Sequence, residues 1–279
     1  MYHDEVYMIT LTYNDTWLPI KSEIEIDGKL YYDDGTWNSY LREQDKDKFI
    51  KDFRNQQYYR YGITGIKYFG CGEYGGQDGR AHWHIIFFGA HIPREELKVH
   101  SIDTEGNFLY ECPNIEKIWD NKGFITVTEV NYQVARYVAG YVQKKEFKLN
   151  QHDMYEYFTH KDVFYAKRGQ TPENRFMSKG IGGDYYKDHK IDIFEDGYIF
   201  VHGAKEMILP AKIPRIYERW LEGECEPMAE MIKAKKQEAA IRTQNIKMSQ
   251  TSLSIKEQLE VEERTKLNQM NIFKFRDKL

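Results

Sequence analysis

The sequence has 279 residues, 30% of them charged and 41% hydrophobic, with a formal net charge of -4 and a mean hydropathy of -0.74. Its longest apolar run, near Ile85 to Ala90, is far short of the roughly 20 residues a membrane span needs, so a soluble chain with no membrane partner is expected. The charge balance gives no general pull toward nucleic acid, and any such contact has to be local.

Glu5 to Asn14 (EVYMITLTYN) sets Tyr7, Ile9, Leu11 and Tyr13 against Met8, Thr10 and Thr12, the period-two pattern of a strand. Glu23 to Trp37 contains Asp-Gly pairs at 27–28 and 34–35 and reads as a hairpin excursion. Gln44 to Tyr61 is charged and places Phe49, Ile50, Phe53 and Tyr58 near helical spacing, which predicts a helix. Ile63 to Tyr74 is a second strand, GGQDG a loop, Ala81 to Gly89 a third strand and Gly123 to Val130 a fourth. Asn131 is an N-cap for a helix running through Tyr137 and Tyr141 to about Phe147. Beyond residue 150 a polar, aromatic stretch leads to the Gly-rich MSKGIGGDYY, a short strand at Tyr198 to Val201, ILPAKIPRIYERW and a Met- and Lys-rich helical tail.

This order predicts an α+β fold in which one face of a central antiparallel sheet carries the helices. Residues 1–150 are expected to form the main domain, 151–225 an accessory extension packed on it, and 226–279 a helical basic tail. From Met231 onward there are eleven Lys or Arg against six Asp or Glu, and Lys233, Lys235 and Lys236 are candidates for phosphate contact. The 22 tyrosines serve strand and core packing, or in part offer platforms on which unpaired bases stack. Three widely spaced cysteines without a Cys-x-x-Cys, and no charged-then-apolar leader, fit a reducing cytoplasm.

The chemistry concentrates in GRAHWHIIFFG, Gly79 to Gly89. In an extended chain His82 and His84 point the same way, roughly 7 Å apart along the backbone. If Tyr74 and Ala81 bracket the loop, antiparallel register sets Glu73 across from His82 on that same face. One carboxylate and two imidazoles make an open three-ligand site suited to Mg²⁺ or Mn²⁺; a surface Glu beside a hydrogen-bonded His pair is the plainer reading of the same residues. In the helix NYQVARYVAGYVQKK, Tyr137 and Tyr141 share a face, with Lys144 and Lys145 extending its basic side. A phenol next to a divalent ion and cations can attack a phosphodiester and keep the bond energy as a phosphotyrosine.

ITLTYN, GRAHWHIIFFG and ARYVAGYVQKK, in that order, resemble the three motifs of HUH endonucleases. With CGEYGGQDGRAHWH, FMSKGIGGDYY and LPAKIPRIYER, the chain more closely resembles the replication initiation proteins of small single-stranded DNA phages, the Microviridae, especially the gokushovirus branch. The resemblance implies metal-dependent nicking of the phage origin, a 5′-phosphotyrosine link, and a 3′-hydroxyl that primes rolling-circle synthesis before the unit genome is rejoined. It implies His82, His84 and Glu73 as metal ligands, Tyr137 and Tyr141 as nucleophiles, and Lys144 and Lys145 at the phosphate. Its partners would be single-stranded origin DNA and, since no Gly-x-x-x-x-Gly-Lys-Ser/Thr loop occurs, a host helicase and DNA polymerase in the bacterial cytoplasm. Two features depart from relatives: Gly140 stands where some have a lysine before the second tyrosine, and the first strand comes almost at once, where relatives often carry a Cys-rich segment. The rival readings are a non-catalytic origin-binding protein and a cupin-like metal oxygenase. The latter needs a further His, and His100, His152, His160, His189 and His202 sit in no clearly matching context.

Overall fold

The computed structural model describes residues 3, 5–20, 23–26, 28–32, 39–75, 79–104, 106–131, 134–135, 138–139, 170–202 and 208–276. The chain divides into two compact units, residues 1–189 with 200–210, and residues 190–199 with 211–279.

The first unit is built on strands β1 (Val6–Leu11), β4 (Lys67–Tyr74), β5 (Ala81–Phe88), β6 (Lys98–Ile102), β7 (Phe108–Glu111), β8 (Ile125–Glu129) and β9 (Asn174–Met177); β2 (Glu23–Ile26) and β3 (Lys29–Tyr32) pair as a separate hairpin. The seven strands form one sheet in the order β6-β7-β8-β1-β5-β4-β9, and each of their pairings is antiparallel. The α+β architecture is thus the one the residue pattern indicates. Strand β9 is drawn from the stretch 151–225 assigned to an accessory extension. The β6–β7 hairpin and the short helix α2 (Pro113–Ile118) carry no clear periodicity, because Lys98, Val99 and His100 are all exposed.

Alternation decides which side chains meet. Tyr7, Ile9 and Leu11 of β1, Trp83, Ile85 and Phe87 of β5, and Ile125 and Val127 of β8 point to one face, where they pack with Phe49, Ile50 and Phe53 of α1 (Glu43–Tyr61) and with Ile115 and Trp119. Phe53 and Phe87 meet with ring centroids 4.5 Å apart. Tyr58, at helical spacing with these, is 54% exposed. The opposite face is also covered: Val6, Met8, Cys71 and Ile86 pack with Val130, Val134 and Val138. Helices therefore lie on both faces rather than one, because these apolar positions on β1, β4 and β5 need cover that α1 cannot reach.

Gly72 in the middle of β4 makes room for the large rings. A Cβ there would stand 2.6 Å from Trp83 Cζ3 and 2.9 Å from the Leu41 methyls, and Trp83 has no exposed surface. Gly72→Ala should therefore destabilise the fold by about 1–3 kcal/mol through overpacking, read as a lower midpoint in urea denaturation. An unchanged midpoint would mean that Trp83 moves freely.

The second unit contains α4 (Arg215–Glu224), α5 (Glu226–Gln250) and α6 (Ile255–Arg276); α3 (Gly183–Asp196) and the strands β10 (Tyr198–His202) and β11 (Ile208–Lys212) fall across the division. Tyr217 and Leu221 are the buried side of α4, whereas α5 buries none of its residues. Lys236 forms an ion pair with Glu218, and Lys233 Nζ lies 3.3 Å from Glu230 Oε1. Among the described residues no helix is long and apolar enough to cross a membrane.

Candidate active site

The odd-numbered core residues of β5 face α1, so His82 and His84 must face the other way. His84 stands directly opposite Thr10 of β1 on one side and Cys71 of β4 on the other, while Glu73 stands opposite His82. The register expected from the loop is the register found.

The side chains then cross the register. Glu73 reaches diagonally to His84, with Oε1 3.1 Å from Nε2, and Thr10 Oγ1 lies 2.9 Å from the other ring nitrogen, Nδ1. Glu73 and His84 are buried, at 9% and 7% exposure. A buried carboxylate is costly unless it is hydrogen-bonded, and this contact satisfies it. His82 Nδ1 lies 2.6 Å from the Arg80 carbonyl oxygen. A carbonyl only accepts, so Nδ1 carries the hydrogen and the lone pair of the neutral ring is on Nε2. Burial pushes the His82 pKa below the ordinary histidine range, which favours that neutral form.

The backbone that aims His82 is anchored. Arg80 donates through Nη1 to Asp15 Oδ1 (2.7 Å) and through Nη2 to the Tyr13 carbonyl (2.8 Å), and Ala81 N donates to Ser39 Oγ at 2.6 Å. Gly75 leaves space for the ring, since a Cβ there would stand 3.2 Å from His82 Cε1.

The donor set suits a divalent ion. Metal–ligand distances of about 2.1 Å at a right angle separate neighbouring ligand atoms by about 3.0 Å, close to the 3.1 Å between Glu73 Oε1 and His84 Nε2. Ligating histidines also hand their second nitrogen to a carbonyl, carboxylate or similar partner, as Arg80 and Thr10 provide here. Among the described residues no three His, Cys, Asp or Glu side chains converge closely enough to hold a metal ion. The structure thus brings Glu73 and His84 together and sets His82 beside them on the same face.

Tyr137, Tyr141, Lys144 and Lys145 lie outside the described residues. The helix that leads to them begins as its cap residue implies, with Val134 N donating to Asn131 Oδ1 at 2.9 Å. Val138 follows on the histidine face, its carbonyl oxygen 4.0 Å from Cys71 Sγ. Tyrosines elsewhere on the sheet are poor nucleophiles. Tyr7, Tyr13 and Tyr74 belong to the opposite core, where burial pushes Tyr7 and Tyr74 up to about 12 and Tyr13 higher still.

Thr10 is the site residue that residue patterns alone do not single out. Its only signal is a hydroxyl where β1 otherwise carries Val6 and Met8 on this face.

The family model for the replication-associated protein ORF2 family matches residues 6–146, a span that includes Thr10, Glu73, His82, His84 and both candidate tyrosines. The chain is 33% identical to replication-associated protein ORF2 of Spiroplasma virus 4 over 198 residues, 70% of this chain and 56% of that protein. It is 26% identical to replication-associated protein VP4 of Bdellovibrio phage phiMH2K over 223 residues, 79% of this chain and 58% of that protein. With replication-associated protein ORF4 of Chlamydia phage 1 the identity is 28% over 159 residues, 56% of this chain and 37% of that protein. The chain spans about half the length of the curated relatives it matches.

Proposed function

The chain belongs to the replication-associated protein ORF2 family, and from that premise we propose that it is a phage replication initiator of the HUH endonuclease type. It nicks single-stranded origin DNA in the cytoplasm of the bacterial host, and host helicase and DNA polymerase extend the exposed end. The observation that carries this reading is the buried Glu73–His84 contact, on the sheet face that the helix of Val134 and Val138 also covers.

Glu73, His84 and His82 would hold Mg²⁺ or Mn²⁺, which when bound withdraws charge from the phosphodiester oxygens. Thr10 and the Arg80 carbonyl fix the two imidazole rings by their Nδ1 atoms. The nucleophile is a phenol oxygen of Tyr137 or Tyr141. Their support is spacing: Tyr137 is three positions after the buried Val134 and Tyr141 three after Val138, and residues three apart are neighbours on a helix. The phenol oxygen bonds to phosphorus, the bond from phosphorus to the 3′ oxygen breaks, and that oxygen leaves as a hydroxyl after taking a proton. The 5′ phosphate stays on the tyrosine. Lys144 and Lys145 offset the negative charge of phenolate and phosphate.

The reading is tested by incubating the protein with its phage's single-stranded genome and Mn²⁺ or Mg²⁺. Cleavage at one position is expected, with a polymerase-extendable 3′-hydroxyl and a protein-blocked 5′ end, and EDTA should stop it. A free 5′ phosphate, or equal cleavage in EDTA, would contradict it.

A further inference from the structure

The Gly-rich segment after residue 173 has a structural role that the nicking chemistry does not use. It enters through β9, the edge strand, which pairs with β4 in the register Phe69↔Met177, Gly70↔Phe176, Cys71↔Arg175 and Gly72↔Asn174. Phe176 turns toward α1, with its ring centroid 5.8 Å from that of Trp83. Alternation then sends Arg175 and Met177 to the opposite face, that of Glu73 and His84.

Cys71 ties this row together. It is in register with His84 on one side and Arg175 on the other, and it meets the Val138 carbonyl. Two strand spacings put the Arg175 Cα about 10 Å from that of His84.

Arg175 is exposed and, among the described residues, has no ion-pair partner. Other cations of this unit are engaged: Arg80 with Asp15, Arg60 with Glu96, Arg94 with Glu129, and Lys48 with Asp52 and Asp120. Lys67 shares the face of Glu73 and Cys71 by alternation along β4. Its Nζ lies 3.7 Å from where a Cβ of Gly180 would stand, at the turn that follows β9. Lys179 in that turn is exposed. Cations therefore mark both ends of the β4–β9 edge, about 13 Å apart along the strand. Met177 lies between them, 53% exposed.

We propose that this edge, through Arg175 with Lys67 and Lys179, seats the phosphate backbone of single-stranded DNA next to the phosphodiester held at Glu73 and His84. The planar guanidinium fork matches phosphate oxygens in pairs, and a local cation track is what a chain of net charge -4 requires to hold a polyanion. The assignment rests on the initiator reading. Edge strands also carry cations simply to block pairing with another chain, and neutralising such a guard would increase aggregation without touching DNA affinity.

The experiment is fluorescence anisotropy of labelled oligothymidine with the intact chain in EDTA, between about 50 and 200 mM salt. Arg175→Ala should lower the slope of log affinity against log salt by about 0.7, and the triple variant with Lys67→Ala and Lys179→Ala by about 2, as expected for single strands. Arg175→Lys should keep most of the slope, and melting temperatures should match the wild type. Unchanged slope and affinity in both neutralised variants, with or without aggregation, would overturn the proposal, as would a wild type that does not bind oligothymidine. Because no step here needs metal or tyrosine, the outcome separates from the nicking reading. A covalent adduct with an unaltered slope removes only the β9 track; a lost slope without an adduct removes only the nicking.

Discussion

Replacing both Tyr137 and Tyr141 by Phe should abolish the covalent protein–DNA adduct, while either single replacement retains some nicking. Rolling-circle replication needs one strand transfer to start and another to finish a unit genome. A protein tethered by its first phosphotyrosine needs a fresh nucleophile for the second, and two phenols one helical turn apart can take turns at one phosphate. Each single variant should therefore cut an origin oligonucleotide but fail to release circular, unit-length product. Denaturing gels of labelled DNA read the adduct, and agarose gels read the circles. Circles from either single variant would remove the alternation.

His84→Ala should lower the cleavage rate by at least about 100-fold, since second-shell losses alone commonly cost a metal site 10–100-fold and this change removes a proposed ligand. DNA binding in EDTA should survive, because contacts to the backbone rather than to the ion supply most of the affinity. The substitution also strips the buried Glu73 of its partner, at a cost of about 1–3 kcal/mol. His84→Gln, which keeps an amide donor toward Glu73, controls for that loss. Mn²⁺ affinity, followed by electron paramagnetic resonance, should fall in both variants and by a smaller factor in Thr10→Val, where only the bond to Nδ1 is lost. Wild-type nicking or Mn²⁺ binding by His84→Ala would sink the ligand assignment.

The alternation in EVYMITLTYN and AHWHIIFF was enough to place β1 and β5 and to say which side chains share a face, because burial on one side imposes a strict period of two. The Glu73–His82 register followed from the short loop between them. What burial does to side-chain directions was less legible: Glu73 turns from its direct neighbour to the diagonal His84, and Thr10 becomes the partner of that ring only because β1 lies against β5. Strand β9 escaped notice because four residues alternating Asn, Arg, Phe and Met show no apolar stripe, and its role depends on pairing with β4, about 100 positions away. Charge counting in the tail had a similar limit. Lys233 and Lys236 add to the net charge but stand in ion pairs with Glu230 and Glu218, which no count along the chain displays.

The most direct test of the account is mass spectrometry of the covalent complex formed with the phage's single-stranded genome, after digestion of both protein and DNA. The expected result is a nucleotide 5′-linked to Tyr137 in some peptides and to Tyr141 in others. A nucleotide on any other residue, Tyr7, Tyr13 and Tyr74 included, would contradict it.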